Sequence, residues 1–413
     1  MAISKKENLA ILGGEPVMKG QFPQWPIFND QELSALREVL ESHNWWRTPG
    51  TKTAEFERSF ATYHQAQFGI AVTNGTAGLE VALLALDIGP GDEVIVPDFT
   101  FVATASAVLS TGALPVLVDI DPNTYCLNPK LVKNAISPRT RAIIVVHLGG
   151  NPANMSDFKT IANDYGLWLV EDSSHAHSSE WKNTKVGAIG DIGTFSFQQS
   201  KLMTAGEGGI IITNNENLAA KARSIHDCGR LPEKWFYDHY IYGSNYRLTE
   251  WQGAILLQQL KRLPKQTIIR TKNALFLDDK LKQIEGIEPQ ETEKYVTRNG
   301  HYAYIFHVNR EAFHGISTKQ FIKALNAEGI PTQDSYPPLH GLDLFTTGAY
   351  RKRLCNAQAH ETHVFMQSEF PGALKGAWET VWLPHPVLLG SEEQIALIVK
   401  AIEKIQKNAR FLL

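Results

Sequence analysis

Lys201 stands where a chain presents a reactive amine. The segment from Gly193 to Gly209 reads GTFSFQQSKLMTAGEGG. An apolar run ends in a hydroxyl at Ser196, a single lysine follows five residues later, and Gly206, Gly208 and Gly209 close the stretch. Strand, polar turn and glycine-rich loop put one amine at a sheet edge and leave room beside it for a flat ligand. Such an amine forms Schiff bases with carbonyl compounds once burial and neighbouring positive charge have lowered its pKa enough to free the lone pair. A lysine in a loop is also, by itself, an ordinary solvated side chain, so the rest of the constellation has to decide.

Four further segments suit one ligand, an aromatic aldehyde carrying a phosphate. In TNGTAGL, residues 73–79, a strand ends at Gly75 and a helix begins with Thr76 as its N-cap. Free N–H groups and the positive end of the helix dipole make such a junction an anion site, although the same arrangement recurs throughout α/β folds. In LWLVEDSSHAHSS, residues 167–179, an apolar strand delivers Asp172 at its carboxyl end, where ligands of open α/β sheets sit. Its carboxylate can keep a pyridine nitrogen protonated, or merely cap the next turn. His175 can reach a ring hydroxyl, and His177 reads as structural. A metal is not expected, because this pair lacks a third ligand nearby. In PDFTFVATA, residues 97–105, Phe101 either stacks on a flat ring or belongs to the core. In GSNYRLTEWQ, residues 243–252, Asn245 and Arg247 offer an amide and a permanent charge to a phosphate.

The elements that would position these groups are legible as runs. Seven β-rich stretches, 69–73, 94–97, 114–118, 142–147, 167–171, 193–197 and 209–213, are apolar almost throughout. Continuous rather than alternating apolar character predicts burial on both faces, as in a mostly parallel sheet between helical layers. Helical patterns at 76–86, 155–165 and 216–227 connect them, so the expected fold is a three-layer α/β domain. A long helix is expected from Asn245 to about residue 285, its stripe of Leu256, Leu257, Leu260 and Leu263 interrupted by Pro264. A strand-like run at 301–308 and a terminal helix capped by Ser391 and Gln394 predict a smaller α/β unit. The expected division is an arm over 1–30, a large domain over 31–265 and a small C-terminal domain over 266–413.

With 413 residues the chain exceeds one ordinary core, which supports the two-domain expectation. The formal net charge of -3, without a basic stripe, argues against a nucleic-acid partner. No run approaches a membrane span and no cleavable leader is evident at the start, so a cytoplasmic protein is expected. Cys126, Cys228 and Cys355 form no CxxC pair and suggest neither a disulfide framework nor a zinc knuckle.

In this order the segments resemble the DegT/DnrJ/EryC1/StrS family, the sugar aminotransferases of the fold-type-I pyridoxal-phosphate class. The resemblance runs from LGGEPV near residue 13 to the terminal helix. It is carried most specifically by NGT at 74–76, EDSSHAH at 171–177, SFQQSK with GEGG at 196–209, and GSNYR at 243–247. It implies that Lys201 binds the aldehyde of pyridoxal 5'-phosphate, Asp172 pairs with the ring nitrogen and Phe101 stacks on the ring. Gly75, Thr76 and Ser196 would hold the phosphate, and Asn245 would reach the phosphate of a neighbouring subunit, which implies a homodimer with shared sites. Within the family the chain is similar to glutamine:scyllo-inosose aminotransferases and to 3-amino-5-hydroxybenzoate synthases. His175 stands where many relatives carry glutamine, and Ser173 and Ser174 where small alanines are usual.

The implied reaction moves an amino group from L-glutamine or L-glutamate to a keto sugar or ketocyclitol. Trp45, Trp46, Arg47, Tyr336 and His340 offer flat walls with polar tips for a polyhydroxylated ring, or serve as plain structural residues. Two rivals are an aromatising synthase on the same scaffold and a non-catalytic cofactor-binding regulator. For the regulator, the first 30 residues are too short to hold a DNA-binding module. The dehydratase version of this scaffold carries histidine where Lys201 stands.

Overall fold

A computed structural model describes residues 8–232, 234–354 and 369–413; Cys355 lies outside the described residues. The seven predicted runs all form strands: β1 (Phe68–Val72), β2 (Glu93–Pro97), β3 (Leu114–Val118), β4 (Thr140–Val146), β5 (Trp168–Asp172), β6 (Ile192–Ser196) and β7 (Gly209–Thr213). They make one sheet in the order β1-β7-β6-β5-β4-β2-β3. Within it β7 runs antiparallel to both β1 and β6, and the remaining pairs are parallel. Ile70, Val94, Ile143, Val170, Phe195 and Ile211 are all buried, which is why these strands read as unbroken apolar runs.

Helices α1 (Asp30–Ser42) and α2 (Lys52–Tyr63) precede the sheet, α3 (Gly75–Ala85), α4 (Ala103–Ser110), α5 (Pro129–Ala135) and α6 (Met155–Tyr165) lie between its strands, and α7 (Glu216–His226) follows its last strand. Helix α3 packs on β6 and β7, α4 on β2 and β3, and α6 on β5. The expected cap of α3 is corrected by one turn geometry. Asn74, extended at φ -166° and ψ 173°, is the N-cap, and its side chain accepts from Ala77 N. Thr76 already lies inside the first turn. The difference matters, because it leaves the N–H groups of Gly75 and Thr76 pointing out of the helix end.

Helix α8 (Glu250–Leu281) spans 32 residues and starts later than expected, at a capping box made by Thr249 and Gln252. Residues before it are drawn into the sheet edge, where Thr73 N donates to Tyr246 O at 2.8 Å. Pro264 sits inside the helix without ending it. Leu256, Leu260 and Leu263 bury on one side of the proline, and Ala274, Leu277 and Leu281 on the other, so packing holds both halves.

Those two halves belong to different cores. The first is centred on the large sheet, and the second gathers Leu277, Phe306, Phe321, Leu383 and Ile402. A three-stranded antiparallel sheet, β8 (Ile287–Pro289), β9 (Ala303–Val308) and β10 (Thr380–Pro384), forms the second body with α9 (Thr318–Ala327) and α10 (Glu392–Asn408). The predicted capping box at Ser391 is present, and Ile395, Ile398, Val399, Ile402 and Ile405 are buried beneath it. Leu339, Phe370 and Trp382 lean on the first core instead. Among the described residues no helix is long and apolar enough to cross a membrane.

Candidate functional site

The parallel strands end on one side of the large sheet, and a cavity of about 940 Å³ opens there. After β6 the chain turns, Lys201 N donates to Gln198 O at 2.9 Å, and the side chain enters this cavity half-buried. Burial lowers the Lys201 pKa from 10.5 to about 8, while the carboxylates of Asp172 and Glu207 act in the opposite direction. The amine is therefore largely nucleophilic only a little above neutrality. In cofactor-free protein, acetylation of Lys201 followed by peptide mass spectrometry should rise with pH around a midpoint near 8. An ordinary lysine midpoint near 10.5 in that assay would remove the buried-amine account.

Strand β5 supplies two carboxylates that part company because side chains alternate across a strand. Asp172 turns into the cavity, accepting from Thr104 Oγ1 at 2.9 Å and from Ser174 N at 3.2 Å. Glu171 faces the opposite way and is fully buried. Its Oε2 accepts from Gly187 N at 2.7 Å and pairs with His147 Nε2 at 3.0 Å. Its Oε1 accepts from Ile189 N at 2.8 Å and Gly190 N at 2.6 Å. His147 Nδ1 accepts from Ala153 N, so Nε2 carries the proton that Glu171 receives. One carboxylate is free for chemistry and its neighbour fastens the strand.

At the start of α3 the N–H groups of Gly75 and Thr76 meet no acceptor among the described residues. Ser196, at the end of β6, closes over them. A Cβ on Gly75 would lie 2.8 Å from the Ser196 Cβ, so the close approach of helix start and strand end requires glycine. Gly209 is constrained likewise, since a Cβ there would stand 2.4 Å from Asn74 O. Two open donors, one hydroxyl and a helix N-terminus are the makings of a phosphate cradle. Asn245, exposed, stands on the wall of the same cavity in its own chain.

The opposite wall is aromatic. Phe101 is 54% exposed within the cavity lining, leaving a face free for a flat ligand. His175 is sandwiched between Tyr302, stacked at 4.0 Å, and Tyr336 at 6.0 Å. Its Nδ1 lies 3.4 Å from Gly149 N, which can only donate, so Nε2 holds the proton and donates to the Tyr336 hydroxyl at 3.1 Å. Burial, helped by Lys201 and His177, keeps His175 neutral, well below the usual imidazole pKa. His177 is buried against Phe60, Phe195 and Phe197, as its structural reading anticipated.

Lys201, Asp172, Gly75, Thr76, Phe101, His175, Ser196, Asn245 and Tyr336 are thus brought to one cavity. Five of the sequence candidates are not. Trp45 and Trp46 lie against Trp251 and Phe236, half-exposed and away from the cavity of their own chain. Arg47 is tied to Glu57 at 2.7 Å. His340 is buried, its Nδ1 bonded to Asp98 Oδ2 at 2.6 Å and its ring stacked on Phe370. Arg247 likewise pairs with Asp227 at 2.6 Å rather than facing a phosphate site. Carboxylates take up the polar tips of Arg47, Arg247 and His340, and Trp45 Nε1 donates to Leu40 O at 3.4 Å. Among the described residues no cluster of His, Cys, Asp and Glu could hold a metal ion.

Sequence reasoning missed Thr104, which orients Asp172, and Tyr302, which packs beside both His175 and Lys201. Thr104 was legible as part of TFVATA following β2. Tyr302 lies a hundred residues beyond the lysine in no motif, and only the pairing of the two bodies brings it in.

The DegT/DnrJ/EryC1/StrS aminotransferase family matches residues 26–402. An L-glutamine:2-deoxy-scyllo-inosose aminotransferase of Streptoalloteichus tenebrarius is 36% identical over 97% of this chain and 98% of its own. A 3-amino-5-hydroxybenzoate synthase of Amycolatopsis mediterranei is 36% identical over 91% of this chain and 95% of its own. A crystal structure of 3-amino-5-hydroxybenzoic acid synthase superposes with a TM-score of 0.86 at 35% identity, covering 95% of this chain and 100% of that one. Matches of this length and level, over a cavity that gathers the amine, the carboxylate and the open helix end, make the chain a member of the DegT/DnrJ/EryC1/StrS aminotransferase family.

Proposed function

We propose that this protein is a pyridoxal 5'-phosphate-dependent aminotransferase that moves an amino group from L-glutamine to a ketocyclitol. The observation that carries this reading is the meeting of Lys201, Asp172 and the open N–H groups of Gly75 and Thr76 in one cavity. Similarity to an aminotransferase named for L-glutamine and 2-deoxy-scyllo-inosose supports the choice of donor and acceptor class.

The residues fit the cofactor on chemical grounds. Gly75, Thr76 and Ser196 would hold its phosphate, Asp172 its ring nitrogen, Phe101 its face, and His175 would serve its ring hydroxyl. When bound, the cofactor supplies an aldehyde that exchanges for an amine and a ring that withdraws electrons from the neighbouring carbon. Asp172, oriented by Thr104, keeps the proton on the ring nitrogen. Lys201, freed by the donor, would take the proton from the donor α-carbon and return it to the carbon that had carried the aldehyde, two atoms away across the nitrogen. Its pKa near 8 suits both roles, since base and acid forms are each populated around neutrality. Tyr336, packed on Trp382 and Phe101, closes the cavity against water.

The same reading makes the protein a homodimer in which Asn245 serves a partner's phosphate. Support comes from the segment preceding Asn245, where Trp235, Tyr237 and Tyr242 are 68%, 66% and 77% exposed and Phe236 packs on Trp46. It also divides the chain into an arm, a cofactor-holding body over 31–265 and a smaller body over 266–413, in keeping with the two cores.

Incubation with cofactor, L-glutamine and 2-deoxy-scyllo-inosose should give an aminated cyclitol by mass spectrometry. Light scattering on the same sample should return twice the 46.0 kDa chain mass. Absence of aminated cyclitol, together with aromatisation of a separately supplied aminated cyclohexenone carboxylate to an aminohydroxybenzoate, would favour the aromatising synthase, the second reading that the crystal-structure likeness supports. A monomer that turns over at full rate would remove the shared site.

A further inference from the structure

The turn that carries Lys201 is fastened from three remote parts of the chain. Trp25 Nε1, in the N-terminal arm, donates to Gln199 O at 2.8 Å. His385, just beyond β10, places its Nε2 3.1 Å from Ser200 O. A carbonyl can only accept, so that nitrogen carries the proton and His385 Nδ1 is the unprotonated one; it is buried and meets no partner. The Ser200 hydroxyl donates to Gln198 Oε1 at 2.8 Å, which leaves its oxygen to accept from the Tyr302 hydroxyl at 3.1 Å. These groups also hold one another. The Trp25 ring meets His385 edge-on at 4.5 Å, and His385 N donates to Tyr302 O at 3.2 Å.

The two carbonyls so held belong to the two peptide planes immediately before Lys201. Fixing both planes fixes where the lysine Cα stands and from which direction its side chain departs. That side chain then lies along the Tyr302 ring, its Nζ 4.7 Å from the ring centre. Downstream, Leu202, Met203 and Thr204 are buried, and Thr204 Oγ1 and Ala205 N donate to Phe197 O at 2.9 and 3.2 Å, so the chain leaving the lysine is anchored on the large body. The upstream contacts hold the two peptide planes from which the lysine departs, and they come from the arm and the smaller body.

We propose that Trp25, Tyr302 and His385 form a positioning clamp that sets where the Lys201 amine stands relative to the cavity. None of the three needs to touch a substrate for this, so Trp25 and His385 are positioning residues. The clamp matters to catalysis because a displacement of about 1 Å in a reacting group costs up to about a hundredfold in rate. This proposal rests on the reading of Lys201 as the reactive amine.

Trp25 is half-buried in the arm, so Trp25→Phe removes the indole donor without opening a core. It should lower kcat between about tenfold and a hundredfold and leave both KM values within about twofold. His385→Leu should behave like it, whereas His385→Gln keeps an N–H near Ser200 O and should recover to within about threefold of the unaltered enzyme. The second readout needs no cofactor: acetylation of Lys201 against pH. The charged and titratable groups around that amine are Asp172, Glu207, His175, His177, His385 and Tyr302. In Trp25→Phe these remain, but a loosened turn admits water, and the midpoint should move up from about 8 toward the ordinary 10.5.

Unchanged kcat and an unchanged midpoint in Trp25→Phe would overturn the clamp, as would His385→Gln being as impaired as His385→Leu. Borohydride reduction of the unaltered holoenzyme separates the two levels. Absence of a pyridoxyl label on the Lys201 peptide sinks the proposed function, and the acetylation arm still decides the clamp.

Discussion

Lys201→Ala should lower amino transfer by at least about 10⁴-fold, the largest effect expected of any single change in this chain. Two losses combine in it. The covalent attachment point for the aldehyde disappears, and so does the group that moves a proton at the donor α-carbon. No other lysine lines the cavity among the described residues, so a neighbour cannot take over either role. The fold should survive, because the side chain is half-buried at a turn and makes no ion pair there. The variant should keep its circular dichroism spectrum and its binding of cofactor through phosphate and ring contacts. Reduction with borohydride, expected to mark the Lys201 peptide of the unaltered enzyme with a pyridoxyl group, should mark no peptide of the variant. Retention of more than about a hundredth of the activity would mean that the proton is carried by another group.

Glu171→Gln should be the most destabilising of the near-isosteric changes, although the residue touches nothing in the cavity. Each oxygen of this carboxylate accepts two hydrogen bonds, from His147 and Gly187 on one side and from Ile189 and Gly190 on the other. An amide of the same shape must turn its NH₂ toward one of these pairs. Either choice sets donors against donors and strands two buried N–H groups. Losing charge-assisted acceptance at several buried donors costs about 3 kcal/mol or more. The thermal midpoint at a fixed scan rate should fall by several degrees, with catalysis in the surviving folded fraction nearly normal. A midpoint within one degree of the unaltered protein would show that loop 187–190 finds other acceptors. The contrast with Asp172, one position along the strand, separates a carboxylate kept for chemistry from one kept for the fold.

The large sheet was readable because burial on both faces writes itself as unbroken apolar runs. All seven strands fall within two residues of their predicted bounds, β3 and β7 at the same residues. Caps were less readable. Asn74 and Thr76 are both acceptable cap residues, and only the extended backbone at Asn74 distinguishes them. Helix α8 was extended too far toward its start, because GSNYRL carries no breaker and its commitment to the edge of β1 is a tertiary fact.

In the site, residues lying in local motifs were found: Lys201 after its strand, Asp172 at a strand end, and the glycine at a helix start. What escaped was chosen by long-range packing. Tyr302 enters through a pairing that no window of sequence contains, Thr104 lay in a motif but shows its partner Asp172 only in the fold, and Arg47 and His340 leave through ion pairs with Glu57 and Asp98. A polar tip looks the same in sequence whether it faces a ligand or a buried carboxylate.

The order of strands in the large sheet bears on how the protein is born. β1, made first, lies at the edge and pairs with β7, made last, so Phe68 waits for Thr213 before it has a neighbour. On a ribosome delivering the chain from its amino end, the sheet stays open on that side until the whole of β7 has emerged, and the amine's fastenings at Tyr302 and His385 arrive later still. Such distant pairings make assembly slow in the way high contact order dictates. On the proposed function, cofactor capture would therefore fall among the last events of maturation, and a prematurely released polypeptide would lack the means for it.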